Sequence, residues 1–343
     1  MVKNNKSPYV IAEIGINHCG KTSIAKKLID HAVKAGADAV KFQTYITKKL
    51  IKKNEPLMPY QKKNIKKKIN QYQMLKECEL SIFDLKQLIV YSKKKKIDFI
   101  STPYDEESAL LLIKLGLKKL KVASTDITNV PFLKFLLKKN INLILSTGAT
   151  SSNELDKIFK MINIKTYKKK VSILHCISFY PAPLSSLNLL AIKKMKKDYN
   201  LNVGFSDHSK ETFTGGLAVM MGAEILEKHI TLNENLAGPD HKASLEPKEF
   251  YEYVRISKNA KLTIGDGKKI ISKIEQKTKK KMQKSIFAKN IINKGQKILM
   301  QDLIIMRPAT GISPMFIDKI LGKVCNKRIN KSELIKFKDL QKL

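Results

Sequence analysis

Asn202–Leu232, NVGFSDHSKETFTGGLAVMMGAEILEKHITL, contains the pattern that decides the fold. Two short apolar runs of strand length flank a helical stretch from Glu211 to Met221. His208 follows the first run and His229 lies in the second. Two consecutive parallel strands would then bring two imidazoles to one edge of a sheet. Since neutral imidazole is the commonest side-chain ligand for a divalent metal, this edge is a candidate metal site.

The same alternation of strand and helix runs back to the start of the chain. Amphipathic helices are predicted at Ser23–Ala35, Ser81–Lys95 and Ser186–Lys197. The predicted strands are Tyr9–Asn17, Asp38–Tyr45, Asp98–Tyr104, Leu120–Thr125, Leu143–Thr147, Val171–Cys176, Asn202–Asp207 and Ile225–Leu232. Eight strand–helix repeats predict an α/β fold, a (β/α)8 TIM barrel. The Lys- and Asn-rich excursion Ile46–Gln71 is predicted to be a loop over the barrel mouth.

Three segments are predicted along the chain. Residues 1–267 form the barrel domain, residues 268–284 a basic helical linker, and residues 285–343 a small C-terminal domain. About 60 residues is near the lower limit for independent folding, so the last segment is expected to dock on another surface.

Composition excludes some classes of function. The net charge is +36, but 63 of the 66 basic residues are lysine and only 3 are arginine. Nucleic-acid readers depend on arginine for bidentate contacts, so no nucleic-acid partner is expected. No apolar run is long enough to span a bilayer, and no signal peptide is evident, so no membrane partner is expected. Four scattered cysteines without a CxxC pair favour a reducing, cytoplasmic location.

The ends of the predicted strands are almost all polar or charged. Functional residues of TIM barrels come from these carboxyl ends, so the pattern predicts an active site rather than a purely structural barrel. The motifs at these ends are AEIGINH (12–18), VKFQTY (40–45), STPYD (101–105), KVASTDITN (121–129), ILSTGA (144–149), LHCISFYPAP (174–183), GFSDHS (204–209), EKHITL (227–232) and GPDHKASLEP (238–247).

These motifs resemble, in order and over almost the whole chain, the sialic acid synthases and their legionaminate and pseudaminate relatives. The tail from Ser285, with RPATGISPM (307–315), resembles the antifreeze-like SAF domain of those enzymes. The resemblance implies a metal-dependent transferase that condenses phosphoenolpyruvate, an N-acetylated hexosamine and water into a sugar acid and phosphate. It also implies a domain-swapped homodimer in which the SAF domain caps the partner's barrel.

The resemblance assigns a role to individual residues. His208 and His229 are the expected ligands of a divalent metal, Mn or Mg. The expected catalytic residues are Asp126, which stands where many relatives have Glu, Glu13 and Lys41. The expected substrate-binding residues are Lys121, Thr102, Ser124, Ser146, Ser178, Tyr180, Ser206, Asp240 and Arg307. Arg307 is expected to reach the N-acetyl group of the sugar. For the two acids, Glu13 and Asp126, a structural role is an alternative, since an acid at a barrel mouth can also cap a helix or pair with a lysine.

The sugar is left open at this stage. N-acetylmannosamine, giving N-acetylneuraminate, is the main prediction. Ile177 and Phe179 replace residues that are polar in many relatives, and a less polar wall would favour the 6-deoxy diacetamido sugar that leads to N,N'-diacetyllegionaminate. A pseudaminate synthase and a non-catalytic basic binding protein are weaker alternatives. A KDO-phosphate type synthase is disfavoured because such enzymes lack the SAF tail.

Overall fold

The computed structural model describes residues 7–65 and 67–341. Contacts divide the chain into two compact units, Met1–Asp266 and Gly267–Leu343. In the described part of the chain, no helix is both long and apolar enough to cross a membrane.

The first unit is a closed parallel barrel. Its described strands are β1 Tyr9–Gly15, β2 Ala39–Thr44, β3 Asp98–Pro103, β4 Lys119–Val122, β5 Asn142–Ser146, β6 Val171–Cys176, β7 Asn202–Asp207 and β8 Ile225–His229. Each strand pairs in parallel with the next, and β8 pairs with β1 to close the barrel. The predicted (β/α)8 fold is confirmed.

Helices connect the strands and cover the mouth. The described helices of this unit are α1 Thr22–Ala35, α2 Thr47–Leu50, α3 Pro59–Asn64, α4 Gln71–Cys78, α5 Ile82–Lys94, α6 Glu106–Lys114, α7 Val130–Leu137, α8 Ser152–Met161, α9 Leu190–Tyr199, α10 Thr214–Met220 and α11 Pro247–Thr263. Serine side chains cap α5 and α8 in capping boxes, which fixes where these helices begin. The prediction that Ile46–Gln71 is a loop is wrong, because its described residues contain α2 and α3.

Period-2 alternation divides each strand between an outer and an inner face. Outward residues such as Val10, Val40 and Leu226 pack against the helices in the main core. The first inward position is apolar in most strands, and it forms a separate cluster of Ile11, Ala39, Ile100, Ile144, Leu174 and Ile225. Two residues further along the same strands, the inward residues are polar or ionisable: Glu13, Lys41, Thr102, Ser146, Cys176 and Glu227. An apolar floor therefore lies directly beneath a charged layer.

Leu174→Ala should destabilise the barrel by about 2–5 kcal/mol, because Leu174 is fully buried in this floor and its loss leaves a cavity. Leu110→Ala on α6, where the side chain is 47% exposed, should cost about 0.5 kcal/mol or less. Urea unfolding of the full chain followed by circular dichroism measures both. Equal losses in the two variants would contradict the layered interior.

The second unit has its own small core. It contains α12 Lys273–Met282 and an antiparallel pair, β9 Ser285–Ala288 and β10 Leu303–Met306. Ile286, Ile292, Ile298, Ile320 and Ile335 are among its buried residues. Helix α12 falls inside the segment 268–284 that the sequence predicts as a helical linker; the domain boundaries themselves stay a prediction.

Candidate active site

A cavity of about 530 Å³ opens at the carboxyl ends of the barrel strands. It is lined both by inward strand residues and by the segment that contains α2–α4. The lining includes most of the predicted site residues: Glu13, Lys41, Lys121, Ser124, Ser146, Ser178, Tyr180, Ser206, His208, His229 and Asp240. Glu13 and Asp240, which are 227 positions apart in the chain, thus line the same cavity because the parallel strands all end at this side of the barrel.

Lys41 lies between two buried carboxylates. Its Nζ is 3.0 Å from Glu13 Oε2 and 3.6 Å from Glu227 Oε1. It also donates a hydrogen bond of 3.1 Å to Thr102 Oγ1. Thr102 itself does not line the cavity, so its place in the structure is beneath the lysine rather than at the surface of the site.

Lys121 is held by the neighbouring strands. Its Nζ donates to Ser146 Oγ at 2.6 Å and lies 3.8 Å from Glu227 Oε1. Ser206 Oγ donates to the same carboxylate oxygen at 3.0 Å. The other oxygen, Glu227 Oε2, is buried and has no hydrogen-bond partner in the described residues. Glu227 is therefore the shared counter-ion of both lysines.

Burial and opposite charges push the carboxyl pKa values apart. Burial raises the pKa of Glu13 to about 7, against the opposing charge of Lys41. Burial alone would raise the pKa of Glu227, but the charges of Lys121 and Lys41 together hold it below its usual range. Burial also raises the pKa of Asp240 to about 6. The cavity therefore holds carboxyl groups in different electrostatic settings.

His208 and His229 face each other above the charged layer, with ring centroids 5.5 Å apart. Nδ1 of His208 is 2.7 Å from the Ile177 carbonyl oxygen. Because a carbonyl only accepts, Nδ1 carries a proton, and in the neutral ring Nε2 is left with its lone pair. In that neutral form the Tyr180 hydroxyl, 3.1 Å from Nε2, is the donor. A backbone bond that fixes the tautomer in this way is typical of metal-binding histidines.

The donor set fits a divalent metal. Burial, and then repulsion by His208, hold the pKa of His229 well below its usual range, so this imidazole is neutral at physiological pH. Its Nδ1 is buried without a hydrogen-bond partner among the described residues. No group of three or more His, Cys, Asp or Glu in residues 7–65 and 67–341 is arranged to hold a metal. Two imidazoles would therefore leave the remaining coordination positions to substrate and water.

A wall of aromatic rings joins the strands to the covering helices. Tyr60 of α3 stacks on Tyr180 with centroids 5.5 Å apart, and Tyr180 lies 4.1 Å from His208. Asn64 Nδ2 donates to the Pro239 carbonyl at 2.9 Å, which ties α3 to the loop carrying Asp240. The rest of this wall is mostly apolar: it consists of Leu50, Ile51, Met58, Met74 and Leu75, together with the amides of Gln61 and Gln71. The excursion after β2 thus supplies the less polar half of the cavity.

Besides Thr102, the predicted residues Asp126 and Arg307 are not in the cavity lining. Asp126 lies in the 3₁₀ turn Ser124–Asp126 and accepts a hydrogen bond of 3.3 Å from Asn129. Burial raises its pKa. Arg307 is exposed and belongs to the second unit.

The prediction that Ile177 and Phe179 form an apolar wall of the cavity is wrong. Ile177 packs against the barrel core, Phe179 is 61% exposed, and neither lines the cavity. Strand β6 ends at Cys176, so the alternation that governs inward positions no longer applies to the residues after it.

Sequence reasoning missed Glu227, Gln43 and Tyr60 as lining residues. Glu227 and Gln43 each lie two positions from a predicted site residue on the same strand, His229 and Lys41, so the period of two would have identified both. Tyr60 had no comparable signal, because it lies outside the strands.

Comparison with known proteins decides the family. The family model described as "NeuB family" matches residues 28–269, and the SAF domain model matches residues 283–341. The chain belongs to the NeuB family. It is a transferase of the nonulosonic acid synthase type, and its NeuB barrel is followed by an SAF domain.

The relatives of this NeuB chain cover nearly its whole length. The N,N'-diacetyllegionaminic acid synthase of Campylobacter jejuni is 41% identical over 96% of this chain and 99% of its own. The synthase of the same name from Legionella pneumophila is 39% identical over 92% of this chain and 89% of its own. The crystal structure of N-acetylneuraminic acid synthetase from Leptospira borgpetersenii, in complex with citrate, is 34% identical over 80% of this chain and 90% of its own, with a TM-score of 0.71. The curated relatives favour the legionaminate alternative over the neuraminate prediction.

Proposed function

We propose that this NeuB-family enzyme condenses phosphoenolpyruvate with the 6-deoxy diacetamido hexose that leads to N,N'-diacetyllegionaminate, releasing phosphate. The observation that carries the reaction is the meeting of two buried lysines and two facing histidines in one cavity. The two legionaminic acid synthases among its relatives support the choice of sugar. The apolar wall from the segment around α2–α4 supports it too, because a 6-methyl group and a second acetamido methyl need apolar surface.

Lys41 and Lys121 are the proposed binding residues for the phosphate and carboxylate of phosphoenolpyruvate. Both are buried, so a charge-assisted bond from either is little screened by solvent. In the free enzyme, Glu227 and Glu13 neutralise them. Hydroxyls in the cavity lining can supply further hydrogen bonds to the anion, and they belong to Ser124, Ser146, Ser178 and Ser206. Thr102 is proposed to act through its hydrogen bond with Lys41.

His208 and His229 are the proposed protein ligands of Mn²⁺ or Mg²⁺. The bound metal supplies Lewis-acid polarisation of the sugar's aldehyde oxygen. Tyr180 and Asp240 line the cavity beside the histidines and are proposed to hold and orient the sugar.

Glu13 and Asp126 remain the proposed catalytic acids. Carbon–carbon bond formation leaves positive charge at the former enol carbon, where water then adds before phosphate leaves. A carboxylate can stabilise that charge or accept a proton from the water. Glu13 already lines the cavity, whereas Asp126 has to leave its bond to Asn129 to take part.

Phosphate release from phosphoenolpyruvate with Mn²⁺ tests the proposal directly. The 6-deoxy diacetamido sugar and N-acetylmannosamine are compared at equal concentrations, with a no-sugar control. A higher kcat/KM for the diacetamido sugar is expected. A preference for N-acetylmannosamine would return the assignment to neuraminate synthesis, and no release with either sugar would overturn the proposed reaction.

The SAF domain is proposed to cap the barrel of a partner subunit in a domain-swapped homodimer. Arg307 would then complete the partner's site by binding an N-acetyl group of the sugar. The cytoplasm is the proposed compartment, which agrees with free thiols at Cys19, Cys78, Cys176 and Cys325.

Arg307→Ala should raise the KM for the sugar by about tenfold or more while changing the KM for phosphoenolpyruvate little, since a bond to a charged donor contributes about 1.5–3 kcal/mol. Arg328→Ala is the matched control, because it also removes an exposed arginine of the second unit. Mixing Arg307→Ala subunits with His208→Ala subunits should restore partial activity, since a mixed dimer would contain one intact site. Unchanged KM values, or no restoration on mixing, would contradict the capping arrangement.

A further inference from the structure

A buried ion pair lies on the outward face of β7 and β8, directly behind the two histidines. Lys228 Nζ is 3.0 Å from Asp207 Oδ2, and both side chains are fully buried. Asp207 and Lys228 are direct partners in the strand register. Each immediately precedes one of the predicted metal ligands, His208 and His229. Alternation therefore turns the pair outward while it turns both imidazoles into the cavity.

The pair also holds the backbone on the far side of His208. Lys228 Nζ donates to the Ser209 carbonyl at 2.6 Å, and the Ser209 amide donates to Asp207 Oδ1 at 2.9 Å. Asp207 Oδ2 accepts from Thr214 Oγ1 at 2.5 Å, at the first residue of α10. His208 is thus fixed through the residues before and after it, by groups that belong to both strands.

The inward face of the same two strands carries a second cross-strand pair. Ser206 and Glu227 are register partners joined by a hydrogen bond of 3.0 Å. The next inward side chains on these strands are His208 and His229. Cross-strand pairs on both faces of the sheet therefore fix the register of β7 against β8 at the residues that directly precede His208 and His229.

We propose that Asp207 and Lys228 are positioning residues that set the spacing and orientation of His208 and His229 for a divalent cation. A buried ion pair contributes little net stability compared with apolar residues of similar size, so stability alone does not account for it. Its contacts converge instead on the two short segments that carry the histidines. This inference rests on the proposed metal role of those histidines.

Direct Mn²⁺ titration of the full-length, substrate-free protein tests the inference, with free Mn²⁺ measured by electron paramagnetic resonance. Asp207→Asn alone leaves the Lys228 charge unpaired in the interior and can fail to fold. The informative variant is therefore Asp207→Asn combined with Lys228→Met, which removes both charges. In the wild-type protein the Lys228 ammonium lies 5.1 Å from the centre of the Tyr253 ring, and the methionine thioether would pack against the same ring. Val203→Ala, at the start of β7, is the control for a loss of stability without loss of the pair.

The double variant should unfold at nearly the same urea concentration as the wild-type protein. Its Mn²⁺ affinity should nevertheless be at least about tenfold lower, as is usual when groups that orient metal ligands are removed. Val203→Ala should lose stability and keep its Mn²⁺ affinity. Wild-type affinity in the double variant would overturn the positioning role. Absence of Mn²⁺ binding in the wild-type protein would overturn the metal proposal itself, and this inference with it.

Discussion

His208→Ala and His229→Ala should each lower kcat/KM by about a thousandfold or more. A Lewis acid on the reacting carbonyl contributes several kcal/mol to the transition state, and each 1.4 kcal/mol is about tenfold in rate. The two rings face each other across 5.5 Å, and either substitution leaves only one imidazole at that position. Phosphate release under saturating Mn²⁺ measures the loss.

The control for these variants is His31→Ala, because His31 lies on α1 outside the barrel interior. It should retain wild-type turnover. Circular dichroism and thermal unfolding of all three variants separate loss of the site from loss of the fold. Full activity in either barrel variant would rule out that histidine as an essential ligand.

Lys121→Met should lower kcat/KM for phosphoenolpyruvate by roughly 10- to 100-fold. A hydrogen bond to a charged group contributes about 1.5–3 kcal/mol, and this lysine is almost completely buried where solvent cannot replace it. The substitution also removes one of the two lysines that neutralise Glu227 and leaves only Lys41. The less neutralised Glu227 carboxylate then repels the anionic substrate. Steady-state kinetics with phosphoenolpyruvate varied at saturating sugar measure the effect.

Lys119→Met is the matched control, because Lys119 lies on the same strand two residues earlier. It starts β4 at the opposite end of the barrel, where it pairs with Asp98 at 3.5 Å. Its loss should leave kcat/KM almost unchanged. Equal losses in the two variants would mean that general positive charge, rather than a built anion site, attracts the substrate.

The sequence predicts the barrel well because its signal is local. Each strand is a short apolar run that ends in polar residues, and β6 and β7 were predicted with the bounds that the structure shows. The pattern does not predict the helices after β2, because the excursion is rich in lysine and asparagine, and its apolar residues occur only singly or in pairs. Their burial comes from covering the mouth, a tertiary contact that no local pattern records.

Strand periodicity predicts part of the candidate site, and the family resemblance predicts cavity residues beyond the strand ends, such as Tyr180 and Asp240. His229, Lys41 and Lys121 lie on strands, and alternation carries them into the cavity. Asp126 and Phe179 follow strand ends, where the chain turns and the period of two is lost. Glu227 lies two residues before His229 on β8, so the same period places it in the cavity, but sequence alone does not distinguish a buried ion from an exposed one.

The two halves of the cavity come from different parts of the chain. The groups proposed to bind phosphoenolpyruvate and the metal lie at barrel strand ends, whereas the apolar wall comes from one continuous excursion between β2 and α5. Under the proposed function, the apolar part of the sugar preference is thus encoded in a different segment from the reaction type. A change of substrate could evolve, or be engineered by exchanging one segment between relatives, while the condensation machinery is left intact.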